Sequence, residues 1–163
     1  MPYQPTEHLL VEQDGGVVTI TLNNPDMRNA FLDDMHEGMR EIWWDLADDD
    51  SVRAVIVTGA GKAFSAGGDI PSFIKSYEDP DYRRKSLRGA RRLMEAQAEF
   101  PKPVIAAING PAVGLGCNVA LMSDIVYIAE SAFIADTHVS IGLVCGDGGA
   151  VFWPLLMGLL RCK

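Results

Sequence analysis

The sequence predicts an α/β fold with crossover connections between strands. Three observations carry that prediction. Short β-branched runs alternate with longer stretches of helical periodicity. Two glycine-rich loops each follow a strand-like run and lead into helical sequence. The chain, 163 residues with 48% apolar and 22% charged side chains, is long enough for one domain with a real core.

The elements follow in order. Val17–Leu22 alternates and reads as a strand, broken by Asn23-Asn24-Pro25. Phe31 to Asp49 places Phe31, Met35, Met39, Ile42, Trp43 and Leu46 at helical spacing, and the Asp48-Asp49-Asp50 run ends it. Val52–Thr58 is a strand and Gly59 to Gly68 a loop. Ile70 to Tyr77 reads as a short helix. Asp81 to Phe100 reads as a longer one, with Leu87, Ala90, Met94 and Ala98 on one side, stopped by Pro101 and Pro103. Val104–Ile108 is a strand. Gly116 to Ser123 is a helix of small and apolar residues, expected to be buried. Asp124–Ala129 is a strand, Phe133 to Gly149 mostly loop, and Ala150 to Leu160 an apolar helix.

Composition narrows the function classes. The net charge of −8 argues against general nucleic-acid binding. No apolar run approaches the length of a membrane span, roughly 18 residues. The N-terminus lacks the order of a secretory signal. The three cysteines, Cys117, Cys145 and Cys162, are too few and too scattered for a disulfide framework or a zinc cluster, and fit a reducing cytoplasm. Cys117 and Cys145 read as small core residues, and Trp43, Trp44 and Trp153 as core or interface. No metal or redox cofactor is expected.

The two loops, Phe64-Ser-Ala-Gly-Gly-Asp-Ile70 and Asn109-Gly-Pro-Ala-Val-Gly-Leu-Gly-Cys117, can aim two backbone N–H groups at one anionic oxygen. With Asn29-Ala30, Val55–Gly59, Lys62–Ile70, Pro101–Gly110, Ser123-Asp124 and Gly142–Gly149, they give a chain that resembles the crotonase (enoyl-CoA hydratase/isomerase) superfamily along essentially its whole length. The resemblance implies a crotonase-like β/α spiral, the fold shared with ClpP, occupying residues 1–163. It also implies an acyl-CoA thioester substrate, with CoA entering as part of the substrate, and a homotrimer or hexamer. Members of the family usually continue well beyond this length, so the chain is expected to be truncated at its C-terminus, with Leu155, Leu156, Leu159 and Leu160 short of cover.

By the same resemblance, the backbone N–H groups of Gly68 and Leu115 form the oxyanion hole, with Gly114 beside the second donor. The helix starting near Leu115 points its positive end at the thioester oxygen. Ala66 and Gly67 line the adenine side, Asp69 and Ile70 the bend where pantetheine enters, and Arg28 and Ala30 the opposite wall. Hydratases of the family use two glutamates. Here the first position is Asn118 and the second is His138, so ordinary two-glutamate hydration is not expected. Asn118 can bond a water or a substrate carbonyl but cannot act as a base.

Asp136, His138 and Asp147 stand where proton transfer is needed. Histidine can exchange a proton at neutral pH, and a carboxylate can hold its tautomer. A His138–Asp147 pair resembles that of crotonase relatives that cleave carbon–carbon bonds in β-diketones. Asp147 also reads as a helix N-cap. Three functions therefore stand: a CoA-thioester enzyme using an enolate, a β-diketone hydrolase, and a catalytically silent scaffold. The basic run Arg83, Arg84, Lys85, Arg88, Arg91 and Arg92 reads as a solvated helix face, a neighbour of the CoA 3′-phosphate, or a patch for an acidic surface.

Overall fold

A computed structural model describes Tyr3 and residues 6–162. Five strands form one sheet in the order β1-β2-β3-β4-β6, and two short strands, β5 and β7, pair in a second. The strands are β1 (Leu9–Asp14), β2 (Val17–Leu22), β3 (Ala54–Gly59), β4 (Val104–Ile108), β5 (Ala112–Val113), β6 (Ile125–Ile128) and β7 (Ile134–Ala135). The helices are α1 (Asp33–Asp48), α2 (Ile70–Glu78), α3 (Pro80–Ala98), α4 (Leu115–Leu121), α5 (Gly149–Met157) and α6 (Leu159–Cys162).

Within the large sheet only β1 and β2 are antiparallel. The other neighbouring pairs are parallel, so each return passes through a helix, as the alternation in the sequence requires. Strand β1 was not expected. Its sequence Leu-Leu-Val-Glu-Gln-Asp lacks clean alternation, and what makes it a strand is the turn behind it. Gly15 takes a φ of 56°. It closes a two-residue hairpin that lays Asp14 opposite Val17.

The core lies between the sheet and helices α1, α3 and α4. Met35, Met39, Ile42, Trp43 and Leu46 of α1 are buried, as their spacing predicts. Trp43 packs against Phe100 with ring centroids 5.1 Å apart. In α3 the buried positions are Leu93, Ala96 and Gln97. The Leu87–Ala98 stripe marked by the sequence is displaced, and Leu87 is 66% exposed. The reason is that α3 packs against α1 and α2, and Gln97 near its C-terminal end donates to the Val119 carbonyl of α4 at 2.9 Å.

Helix α4 is buried from Leu115 through Ala120, as its small residues predict. The apolar helix expected over residues 150–160 is instead two pieces. Gly158, at φ 80°, ends α5 before α6 begins. Leu155, Leu156, Leu159 and Leu160 are exposed, as are all four residues of β6. No helix among the described residues is long and apolar enough to cross a membrane.

Two outcomes test this packing. Trp43→Ala should cost about 3–5 kcal/mol in urea unfolding, the usual penalty for deleting a fully buried large aromatic. The hydrogen bond from Tyr3 holds the Asp49 carboxyl down at about 2. A depressed carboxylate contributes stability above the ordinary carboxylate range and loses it as pH falls through its folded value. Tyr3→Phe should therefore remove stability at neutral pH and flatten the acid limb between about pH 4 and 2, read by thermal melts across pH.

Candidate active site

The first glycine loop is tied down by residues ahead of α1. Asn29 is fully buried in the left-handed region at φ 57°. Its side-chain amide donates to the carbonyls of Ala60 (2.9 Å) and Ala63 (2.8 Å), while its Oδ1 accepts from the Asn24 amide at 2.9 Å. The Ser65 hydroxyl donates to the Asn29 carbonyl at 2.7 Å and accepts from the Gly67 amide at 3.1 Å. Phe31 N donates to Gly67 O, and Ala66 N to Arg28 O, both at 2.8 Å.

The second loop is zipped onto the first. Phe64 N donates to Pro111 O at 3.0 Å and Val113 N to Ser65 O at 2.9 Å. The Asn109 side-chain amide reaches the Gly59 carbonyl at 2.8 Å. Two glycines permit this approach. A Cβ on Gly67, at φ 87°, would lie 2.7 Å from the Val113 carbonyl oxygen and 3.5 Å from the Leu115 amide nitrogen. A Cβ on Gly116 would collide with the Ser65 side chain. The surrounding bonds use the amides of Phe31, Ala66, Gly67, Val113 and Gly114, and leave those of Gly68 and Leu115 without a backbone acceptor among the described residues.

Strand β7 runs beside β5 and delivers Asp136, Thr137 and His138 to the same place; Gly114 N donates to Ala135 O at 2.9 Å. A Cβ on Gly114 would be 3.5 Å from His138 Cε1, so the imidazole edge lies against the second loop. His138 Nδ1 is 2.8 Å from Asp136 Oδ1, and Nε2 is 3.1 Å from Asp147 Oδ2. The Asn118 amide donates to Asp147 Oδ1 at 2.7 Å. The three ionisable side chains are only 12–22% exposed.

A neutral imidazole donates from one nitrogen only. With both nitrogens facing carboxylates, a neutral ring donates to one of them and a doubly protonated ring to both. Burial pushes the Asp147 carboxyl above its ordinary value, and the His138 charge pulls against that rise. Burial drives the Cys117 thiol up to about 12, with the nearby Asp136 and Asp147 charges adding to it. Cys117 is thus an inert core residue.

The other candidate positions fall around this centre. Ala30 is buried against the loop, Ala66 is exposed, and Ile70 is 55% exposed at the head of α2. Arg28 is exposed in the left-handed region. The Asp69 carboxylate is occupied as the N-cap of α2, accepting from Ser72 N at 3.1 Å and Ser72 Oγ at 3.0 Å. Asn118 is fully buried, its amide turned to Asp147.

Asp147 is not a cap. Gly148 holds that position in α5, and the Asp147 carboxylate is spent on His138 and Asn118. Trp43 is core, Trp153 packs on the core's edge, and Trp44 is half-exposed. Sequence reasoning missed Ser65, the hub of both loops, and Phe73, whose ring lies where a Cβ on Gly68 would project. The only signal for Ser65 was a hydroxyl just ahead of the glycine pair.

Residues 12–161 match the enoyl-CoA hydratase/isomerase family model. The chain belongs to that family. Within it, the chain is 36% identical over 157 residues to 1,2-epoxyphenylacetyl-CoA isomerase of Escherichia coli, covering 95% of this chain and 60% of that protein. It is 40% identical over 135 residues to a putative enoyl-CoA hydratase of Thermus thermophilus, covering 81% and 53%. Among solved structures, an enoyl-CoA hydratase/isomerase from Mycobacterium paratuberculosis superposes with a TM-score of 0.95 at 48% identity, covering 99% of this chain and 65% of that one. Pseudomonas aeruginosa DspI superposes at 0.92 with 35% identity, covering 99% and 61%. This family member has the expected crotonase fold and spans between half and two thirds of the length of these relatives.

Gly116→Ala should force Ser65 aside and loosen both loops. Its expected cost is about 1–3 kcal/mol in urea unfolding. A Cβ on Gly146 would meet nothing closer than 3.7 Å. Gly146→Ala should therefore stay within about 1 kcal/mol of the parent.

Proposed function

We propose that the chain carries the reaction centre of an acyl-CoA-processing enzyme. In this reading the Gly68 and Leu115 amides bind the thioester oxygen as it takes on enolate charge, and the His138–Asp147 pair moves the proton. The observation that carries the reading is the convergence of three elements. Two neighbouring loops leave the Gly68 and Leu115 amides without backbone acceptors among the described residues, and a half-buried imidazole lies against the second loop. Such amides act on charge that develops during reaction and need no reorganisation to do so, each worth about 3–4 kcal/mol of barrier in comparable sites.

In this reading Nε2 accepts the proton taken from the carbon next to the thioester, and Asp147 Oδ2, 3.1 Å away, balances the charge of the imidazolium so formed. Asn118 fixes the other Asp147 oxygen, which leaves Oδ2 aimed at the ring. Ala66, Gly67 and Ile70 are assigned to the CoA side of the site, with Arg28 and Ala30 opposite. Exposed apolar residues on β6, α5 and α6 support assembly as a homotrimer or hexamer, which buries such surface.

One observation favours a second reading. The His138–Asp147 contact, with neither family glutamate present, also suits hydrolysis of a β-diketone, in which water adds to a ketone and the leaving carbon departs as an enolate.

Calorimetric titration with acetoacetyl-CoA separates the two. Saturable binding is the expected result. Binding of a CoA-free β-diketone in its place would select the hydrolase. In a turnover assay with the responsive thioester, His138→Ala should lose about 100-fold or more in kcat while ligand affinity stays within a few-fold. Asp136→Asn should shift the pH–rate profile, since it removes the carboxylate that orients Nδ1. An unchanged profile would reduce Asp136 to a structural role.

A further inference from the structure

Helix α3 carries Arg83, Arg84, Lys85, Arg88, Arg91 and Arg92, six of the fourteen lysines and arginines in a chain of net charge −8. Four of them, Arg84, Lys85, Arg88 and Arg92, join Arg40 of α1 around a depression of about 390 Å³ where the two helices meet. The lining also contains Asp81, which pairs with Arg84, and Gly89. Gly89 cuts the helix surface back beneath the cations, since a Cβ there would lie 3.7 Å from Arg40 Nη1.

The charge in this depression is under-compensated. Arg40 is held by Glu37 and Glu41, and Arg91 outside the depression by Glu95. Lys85, Arg88 and Arg92 have no carboxylate partner among the described residues. Arg84, Arg88 and Arg92 follow at i, i+4 and i+8 on one face, where like charges repel one another. Asp81 offsets that repulsion at Arg84 alone, and an anion in the depression would offset it at Arg88 and Arg92.

The depression is also separate from the site described above. The side of α3 that meets the site carries Gln97, bonded to α4, and Met94, whose sulfur is 3.6 Å from where a Cβ on Gly148 would stand. Positions 85, 88 and 92 lie on the other side of the helix, towards Arg40.

We propose that this depression is a second, independent ligand site that binds a diphosphate group. Guanidinium forks match phosphate oxygens in pairs, and the three cations without a carboxylate partner, Lys85, Arg88 and Arg92, suit a diphosphate, which carries more negative charge than a single phosphate. The volume admits a ligand up to nucleotide size. The diphosphate has two possible sources, free pyrophosphate or the diphosphate of a nucleotide.

Calorimetric titration with inorganic pyrophosphate and, separately, with ADP tests the proposal on the chain as it stands. At least one should bind saturably and more weakly as salt is raised. Tighter binding of ADP identifies a nucleotide, and equal or tighter binding of pyrophosphate identifies the free anion. The R88Q/R92Q double variant, altered only at exposed positions and checked for fold by circular dichroism, should bind roughly tenfold more weakly or worse. Arg91→Gln, which removes an equal type of charge outside the depression, should bind as the parent does. His138→Ala should also leave the affinity unchanged, which keeps this test independent of the proposed activity. Absence of saturable binding by both ligands, full affinity in R88Q/R92Q, or equal loss in Arg91→Gln or His138→Ala would overturn the assignment.

Discussion

Everything at the site depends on the bond from the Ser65 hydroxyl to the Asn29 carbonyl. One small residue, fully buried, joins three parts of the chain. It caps the Gly67 amide, anchors the segment ahead of α1, and through its own carbonyl receives Val113 from the second loop. Loops normally answer to solvent and carry slack. These two answer to each other and to the ends of the parallel strands β3 and β4. The backbone donors beside Gly67 are therefore held by buried bonds between the loops rather than by solvent.

The acid–base cluster is built differently. Its members come from α4, from the segment after β7 and from the turn before α5, and what binds them is charge in a poorly solvated space. Two carboxylates flank one imidazole, a surplus of acceptors over protons that only a chain supplying fixed donors can tolerate. Asn118 is one such donor. The residue type that rules it out as a base makes it suitable for pinning Asp147. Under the proposed function the proton-handling carboxylate is not on α4 itself but on Asp147, the residue that Asn118 of α4 holds.

Much of this was legible in the sequence, because the underlying signals are local. The β-branched runs, the periodicity of α1 and the small-residue helix α4 each follow from residues that touch their neighbours in sequence. Gly67 and Gly114 announced their loops, since positive φ favours glycine. What stayed hidden depends on contacts between distant segments. Strand β1 was decided by a turn and by pairing with β2, and the buried face of α3 by packing against α1 and α2. The role of Ser65 is invisible in a short window of sequence, since its partners lie on two other segments. Asp147 read equally well as a cap and as a partner for His138. Only the path of the chain from β7 to α5 decides between them, and that path contains almost no regular structure from which periodicity could speak.

Cys117 lies immediately before Asn118, in the same buried turn of α4. Burial pushes its thiol up to about 12, and the two carboxylates nearby oppose a thiolate as burial does. Oxidation by peroxides and alkylation both proceed through the thiolate. Cys117 therefore lends the candidate cluster no sensitivity to oxidants. Electrophiles that modify this chain will do so at Cys145 or Cys162, both partly open to solvent. Cys145 packs against Gly149 beside Asp136 and Asn118, so a group added there lands next to the candidate cluster, whereas one on Cys162 sits at the end of α6.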